Sequence, residues 1–219
     1  MSRERTPICL PACVLGLAGA VLAPGAHAAT VISEALYDAA GTDNGHVFVE
    51  LYGTPGALLD GLSLEGVNGS DGSVYLTLPL SGVIPGDGIF VVADDAGDGS
   101  SLVGDADMVV NMDFQNGPDS IVLRDTSGIL DALGYGDFSG GVFAGEGSAA
   151  PDAPAGSSLA RLDPLADSGD NLRDFTVLDT PTPGSVPVSA VPLPPALALF
   201  LSGIGGLLAI SRRRTGSDA

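Results

Sequence analysis

Between residues 30 and 180 the apolar positions fall in short runs, parted by Gly, Asn, Asp and Pro. Thr30–Tyr37 and His46–Tyr52 alternate with period two, and Val47, Val49 and Leu51 point one way. Between them, Asp43-Asn44-Gly45 reads as a hairpin turn, because Asn and Gly accept positive φ at little cost. The series continues at Leu58–Leu64, Val74–Leu80, Ile89–Ala93, Met108–Met112, Ser120–Leu123 and Ile129–Leu133. Asn68-Gly69, Pro85-Gly86 and Asn116-Gly117-Pro118 supply turns between these runs. No segment keeps a helical period for three turns. The pattern predicts one all-β domain over residues 30–180, an antiparallel sandwich or barrel.

After Gly136 the alternation loosens. Gly145–Ser157 reads as a long surface loop, and Ser158–Thr176 is too short to build a second core. It is expected to form a final strand and an irregular wrap on the same sandwich. Pro181–Ala190 is Pro-spaced and reads as an extended linker over 181–190.

Both ends carry a different pattern. Arg3 and Arg5, then the apolar Ile8–Leu22, then Ala26-His27-Ala28 have the order of a secretory signal peptide over residues 1–28, with Ala26 and Ala28 as the cleavage-site residues. Near the other end, Val191-Pro192-Leu193-Pro194-Pro195 cannot be helical. Ala196–Ile210 is almost wholly apolar, and as a helix it would span about 23 Å, a marginal single transmembrane segment. Arg212-Arg213-Arg214 then forms a cationic stop that stays on the cytoplasmic side.

Charge sharpens this division. Without Glu4 and Asp218 the chain keeps 25 of its 27 acids, and without its five terminal Arg it keeps three bases, a net charge of −22 for the domain. No basic stripe is left to neutralise phosphates, which excludes a nucleic-acid partner. Lys is absent, both Cys (Cys9 and Cys13) precede the cleavage site, and His46 is the one His after it. These numbers leave few nucleophiles and bases, and the chain is read as a non-enzyme.

Four features bear on chemistry. Glu34 and Glu50 lie on neighbouring expected strands and form a candidate acid/base pair for glycan or phosphoester hydrolysis; the favoured alternative is that they are edge charges opposing aggregation. Asp94-Asp95-Ala96-Gly97-Asp98-Gly99, with Asp105 and Asp107, is an acidic turning loop of the kind that holds Ca²⁺, the one cofactor the sequence suggests. Asp94, Asp98, Asp105 and Asp107 are its candidate ligands, although Ala96 breaks the EF-hand spacing. Asp163, Asp167, Asp170, Asn171 and Asp174 read as turn formers, with Arg161 and Arg173 pairing some of them. His46, alone and next to a turn, reads as a surface residue.

Two resemblances complete the reading. The Val191-Pro192-Leu193-Pro194 motif, the apolar stretch and Arg212–Arg214 resemble the PEP-CTERM sorting signal of Gram-negative bacteria over residues 191–214. That resemblance implies processing by an exosortase-type protease and transient inner-membrane anchoring through residues 196–210. Val31-Ile32-Ser33-Glu34-Ala35-Leu36-Tyr37-Asp38, Val47-Phe48-Val49-Glu50-Leu51-Tyr52, Asn116-Gly117-Pro118-Asp119-Ser120, Ser158-Leu159-Ala160-Arg161 and Thr182-Pro183-Gly184 occur in the order of a lamin tail domain. That family implies an immunoglobulin-like β-sandwich without catalytic residues. Leu62 stands where the family often has Trp, and Gly53 where Asn is frequent. Together the features predict an exported, non-enzymatic binding or scaffold module at the cell surface or in the extracellular matrix, with polysaccharide or other surface proteins as partners. The alternative is a Ca²⁺-dependent adhesion or polysaccharide-binding module.

Overall fold

A computed structural model describes residues 30–186. The cleavage residues Ala26 and Ala28, the Val191–Pro194 motif, the apolar stretch and Arg212–Arg214 lie outside the described residues. Among the described residues no helix is long and apolar enough to cross a membrane.

The chain forms β1 (Val31–Leu36), β2 (Phe48–Tyr52), β3 (Ser63–Asn68), β4 (Val74–Pro79), β5 (Ile89–Asp94), β6 (Met108–Val110), β7 (Asp119–Arg124), β8 (Ile129–Tyr135) and β9 (Ser158–Arg161). One helical turn, α1 (Asn171–Asp174), leads into β10 (Phe175–Leu178). The strands make two sheets, one ordered β10-β9-β1-β2-β5-β6 and the other β4-β3-β7-β8. The fold is thus all-β and sandwich-like, as the period-two runs predict.

Antiparallel pairing is not universal. β6 runs parallel to β5, because the connection through 95–107 carries the chain back to the sheet edge without reversing it. The run expected at Leu58–Leu64 is also corrected. A turn closed by Leu62 N–H on the Leu59 carbonyl interrupts it, and the strand begins at Ser63. His46 belongs to the turn that precedes β2. The final strand and wrap resolve into β9, α1 and β10.

Strand register decides what each face carries. Ile32, Leu51 and Phe90 align across β1, β2 and β5, as do Ala35, Val49 and Val92. These residues are buried with Leu64, Ile121, Leu123 and Leu133 from the second sheet in one core. Leu62 packs partly buried against that core. A side chain at position 53 would put its Cβ 2.5 Å from Ile84 Cδ1, so Ile84 would have to shift to admit one.

The opposite face of the larger sheet carries a row running Thr176, Ala160, Glu34, Glu50 and Val91, from β10 to β5. A polar residue on the outer face of a strand is usually solvated, yet Glu34 and Glu50 are 1% and 0% exposed. Their cover is the segment after β10. It turns at Thr182–Ser185, where the Ser185 N–H bonds to the Thr182 carbonyl. The start of the expected linker is therefore seated on the domain rather than holding it off.

Candidate functional site

The most developed polar arrangement is the seat of this strap, residues 181–186. β1 has a bulge between Ile32 and Glu34, which leaves Ser33 as an extra residue. A bulge re-aims neighbouring side chains, and here Ser33 and Glu34 both reach the face that carries Glu50. Ser33 Oγ lies 2.7 Å from Glu50 Oε1. Glu34 Oε1 accepts from Ser158 Oγ at 2.5 Å and from the Thr182 N–H at 2.9 Å, and Glu34 Oε2 accepts from Thr182 Oγ1 at 2.7 Å. Glu50 Oε2 accepts from the Gly184 N–H at 2.8 Å.

Both carboxylates are thus committed to a chain segment more than a hundred residues away. Gly184 is required where it sits. Its φ is +77°, and an added Cβ would lie 2.9 Å from the Asp105 Cβ. Burial pushes the Glu50 carboxyl up to about 7 against the hydrogen bonds from Ser33 and Gly184, and the facing charge of Glu34 adds to the rise. β1 and β2 are interior strands, so the reading of these acids as edge charges is corrected. They do stand side by side, in register.

Beside the pair lies a cavity of about 420 Å³, walled mainly by Ala160, Leu162, Thr176, Leu178 and Val186. Its lining is largely apolar, with Glu34 and Glu50 at the wall and the strap along one side.

A second buried cluster closes the seam between the sheets. Arg161, on β9, has a fully buried side chain, and its Nη2 lies 2.7 Å from both carboxylate oxygens of Asp131 on β8. The Ile32 N–H donates to Asp131 Oδ2 at 2.6 Å, while Arg161 Nε donates to the Ile32 carbonyl at 2.9 Å. Pairing between β1 and β9 involves Glu34 and Ala35 and stops short of Ile32. The ion pair therefore satisfies backbone groups that a longer ladder would have used. Arg161 also approaches Asp174 at 3.4 Å and Asp167 at 3.6 Å, and its guanidinium stands 4.6 Å from the Phe175 ring centre. Arg173 makes no ion pair among the described residues.

Oxygens of Asp131, Glu146 and Asp167 lie within 4.8 Å of one another, in geometry open to a cation. The guanidinium of Arg161 already supplies positive charge there. Burial, then the charges of Asp131 and Asp167, push the Glu146 carboxyl up to about 7, and Arg161 offsets part of the rise. Glu146 Oε2 is buried without a hydrogen-bond partner among the described residues.

The candidate Ca²⁺ residues are spread along one edge. Asp94 ends β5, is 4% exposed, and accepts from the Gly45 and Met112 N–H groups at 2.7 and 2.8 Å. It pins the first hairpin to the segment that follows β6. Asp98 is exposed and caps Ser100 through N–H and hydroxyl bonds of 3.0 and 2.6 Å. Neighbouring Asp95 collects the N–H groups of Gly97, Asp98 and Gly99 on one oxygen. Asp107 Oδ2 accepts from the Val91 N–H at 2.9 Å. Asp105 and Asp107 line one shallow depression with Asp87 and Gly184; Asp94 and Asp98 do not line it.

Arg161 does pair with acids of the Asp163–Asp174 cluster as the sequence suggests, through Asp167 and Asp174, but sequence reasoning missed its main partner Asp131 and the strap contacts. A usable signal existed for Arg161: it is one of three bases in the domain and ends the otherwise apolar run Leu159-Ala160. No family model, curated protein or solved structure matches the chain.

Proposed function

We propose that the chain is a non-enzymatic exported protein, an immunoglobulin-like module of the lamin tail type. It binds or scaffolds at the cell surface or in the extracellular matrix and is processed at its C-terminus by an exosortase-type protease. One observation carries the reading: a signal-peptide pattern, a single strand-built domain of net charge −22 and a Pro motif, apolar stretch and Arg cluster follow one another in that order. The use of Glu34 and Glu50 supports it, since their oxygens are engaged by the strap and its neighbours.

The test is to express the chain in a Gram-negative host with an exosortase, fractionate the cells and determine both termini by mass spectrometry. The expected product begins after Ala28 or Ala29, lacks Arg212–Arg214 and is found outside the inner membrane. An intact chain in the cytoplasm overturns the proposal.

A second reading is Ca²⁺-dependent adhesion or polysaccharide binding. It is favoured by the depression where Asp105 and Asp107 meet Asp87.

A further inference from the structure

The Glu34–Glu50 pair poses a charge problem that its neighbours do not solve. The two side chains face each other in register on adjacent interior strands, each at most 1% exposed. On the far side of Glu50, its β5 partner is Val91. From β9, Arg161 reaches the same cavity, but its guanidinium is spent on Asp131, Asp174 and the Ile32 carbonyl. The strap contributes Thr182, Gly184 and Ser185, none of them charged, and beyond it lies another acid, Asp105, against Gly184. Two like charges side by side without a cation do not both stay ionised.

A carboxyl proton needs an oxygen whose partner can accept it. Glu34 is met by three donors: Ser158 Oγ, the Thr182 N–H and Thr182 Oγ1. Glu50 Oε2 is met by the Gly184 N–H and the Ser185 backbone also reaches Glu50, while Oε1 meets Ser33 Oγ, a hydroxyl that, like those on Glu34, accepts as well as it donates. We infer that the seated strap is locked by one proton on Glu50 Oε1, given to Ser33 Oγ, and that loss of this proton to solvent loosens the strap. The inference stands apart from the export reading, since it needs only the described residues.

Once the strap leaves, the Glu50 carboxyl is hydrated and ionises in the ordinary range. Opening therefore releases a proton, and it grows by up to about tenfold per pH unit between that range and neutrality. Release would uncover the cavity and free six residues, about 20 Å of extended chain.

The experiment is residue-resolved hydrogen exchange of the Thr182 and Gly184 amides in the full chain, at about pH 5.5 and pH 8, corrected for chemical exchange. Protection of both amides is expected to fall at least about tenfold at the higher pH. Glu50→Gln keeps a neutral side chain with a donor for Ser33 and an acceptor for Gly184, so its protection should stay high at both pH values. Equal protection at both pH values in the unsubstituted chain overturns the inference, as does a pH dependence that survives E50Q.

Two further measurements remain if E50Q fails to fold. Ser33→Ala removes the acceptor of the proton and should move the midpoint of the exchange profile to lower pH; an unmoved or raised midpoint overturns the inference. Infrared spectra of the unsubstituted chain should show a protonated-carboxyl C=O band that declines through the same pH interval as the protection, and a band that titrates independently of it also overturns the inference.

Discussion

Arg161–Asp131 and Glu34–Glu50 are both buried polar pairs meeting at β1, and they balance their charge by different means. At the seam, a guanidinium fixed between two carboxylate oxygens supplies a full positive charge and also ties off the Ile32 backbone. Under the strap, the carboxyl groups meet only neutral partners, namely serines, a threonine and backbone N–H groups. A charge matched by its opposite resists pH and fails badly when one partner is removed. A charge matched by dipoles alone leaves its protonation open to the environment. The first arrangement suits a permanent joint, the second an adjustable one.

The largest effect should come from unpairing the seam. Arg161→Met leaves Asp131 buried without its cation, and a loss of about 3–5 kcal/mol is expected in urea unfolding at neutral pH. Adding Asp131→Leu should recover much of that loss, because the stranded charge disappears with its partner. If the single substitution costs no more than an ordinary surface change, the seam is not the joint described.

Next comes the pH dependence of global stability. The Glu50 carboxyl titrates at about 7 in the folded chain against an ordinary 4.5, so the folded state binds more protons than the unfolded state across that interval. Stability should therefore fall as pH rises from about 4.5 to 7 and level off above, by at most about 3 kcal/mol from this group. Glu146 acts in the same direction, more weakly because it is more exposed to solvent. Thermal unfolding across this range, with Glu50→Gln alongside, measures the contribution, and E50Q should flatten the profile. A profile that rises toward alkaline pH would contradict the assignment.

The smallest effect belongs to an acid outside both pairs. Asp98 is exposed and caps only its own turn, so Asp98→Ala should leave the urea-unfolding midpoint nearly unchanged. The same variant, titrated with Ca²⁺ in a calorimeter beside the unsubstituted chain, shows whether this loop takes the ion.

Strand content was legible because alternation is local. Val47, Val49 and Leu51 announce β2 without reference to the rest of the chain, and Asn44-Gly45 announces the turn before it. What was hidden is non-local. Alternation marks Glu34 and Glu50 as outward-facing, and they are; it cannot show that residues 181–186 return to cover that face. The sequence distance from Glu34 to Thr182 removes any short-range cue. Asp131 was hidden as the main partner of Arg161 for the same reason, since it lies on the other sheet. Leu58–Leu64 misled because leucines on both sides of Asp60-Gly61 make the segment look like one run, although that dipeptide is itself a turn signal and Gly61 takes a φ of +91° there. The acidic run Asp94–Asp107 drew attention by composition, although Asp94 at its start is a buried hairpin pin and Asp98 caps a solvent-facing turn.

The strap's route also has a mechanical consequence. Traction applied from beyond Val186 meets the Gly184–Glu50 contact first and the Thr182–Glu34 contacts next, before it reaches the β10–β9 ladder. Those contacts lie in series along the strap and give way one after another, as a seam peels, whereas an interior strand pulled along its length must break its bonds together. Tension would be absorbed by a short sacrificial fastening that can close again, leaving the two sheets unloaded.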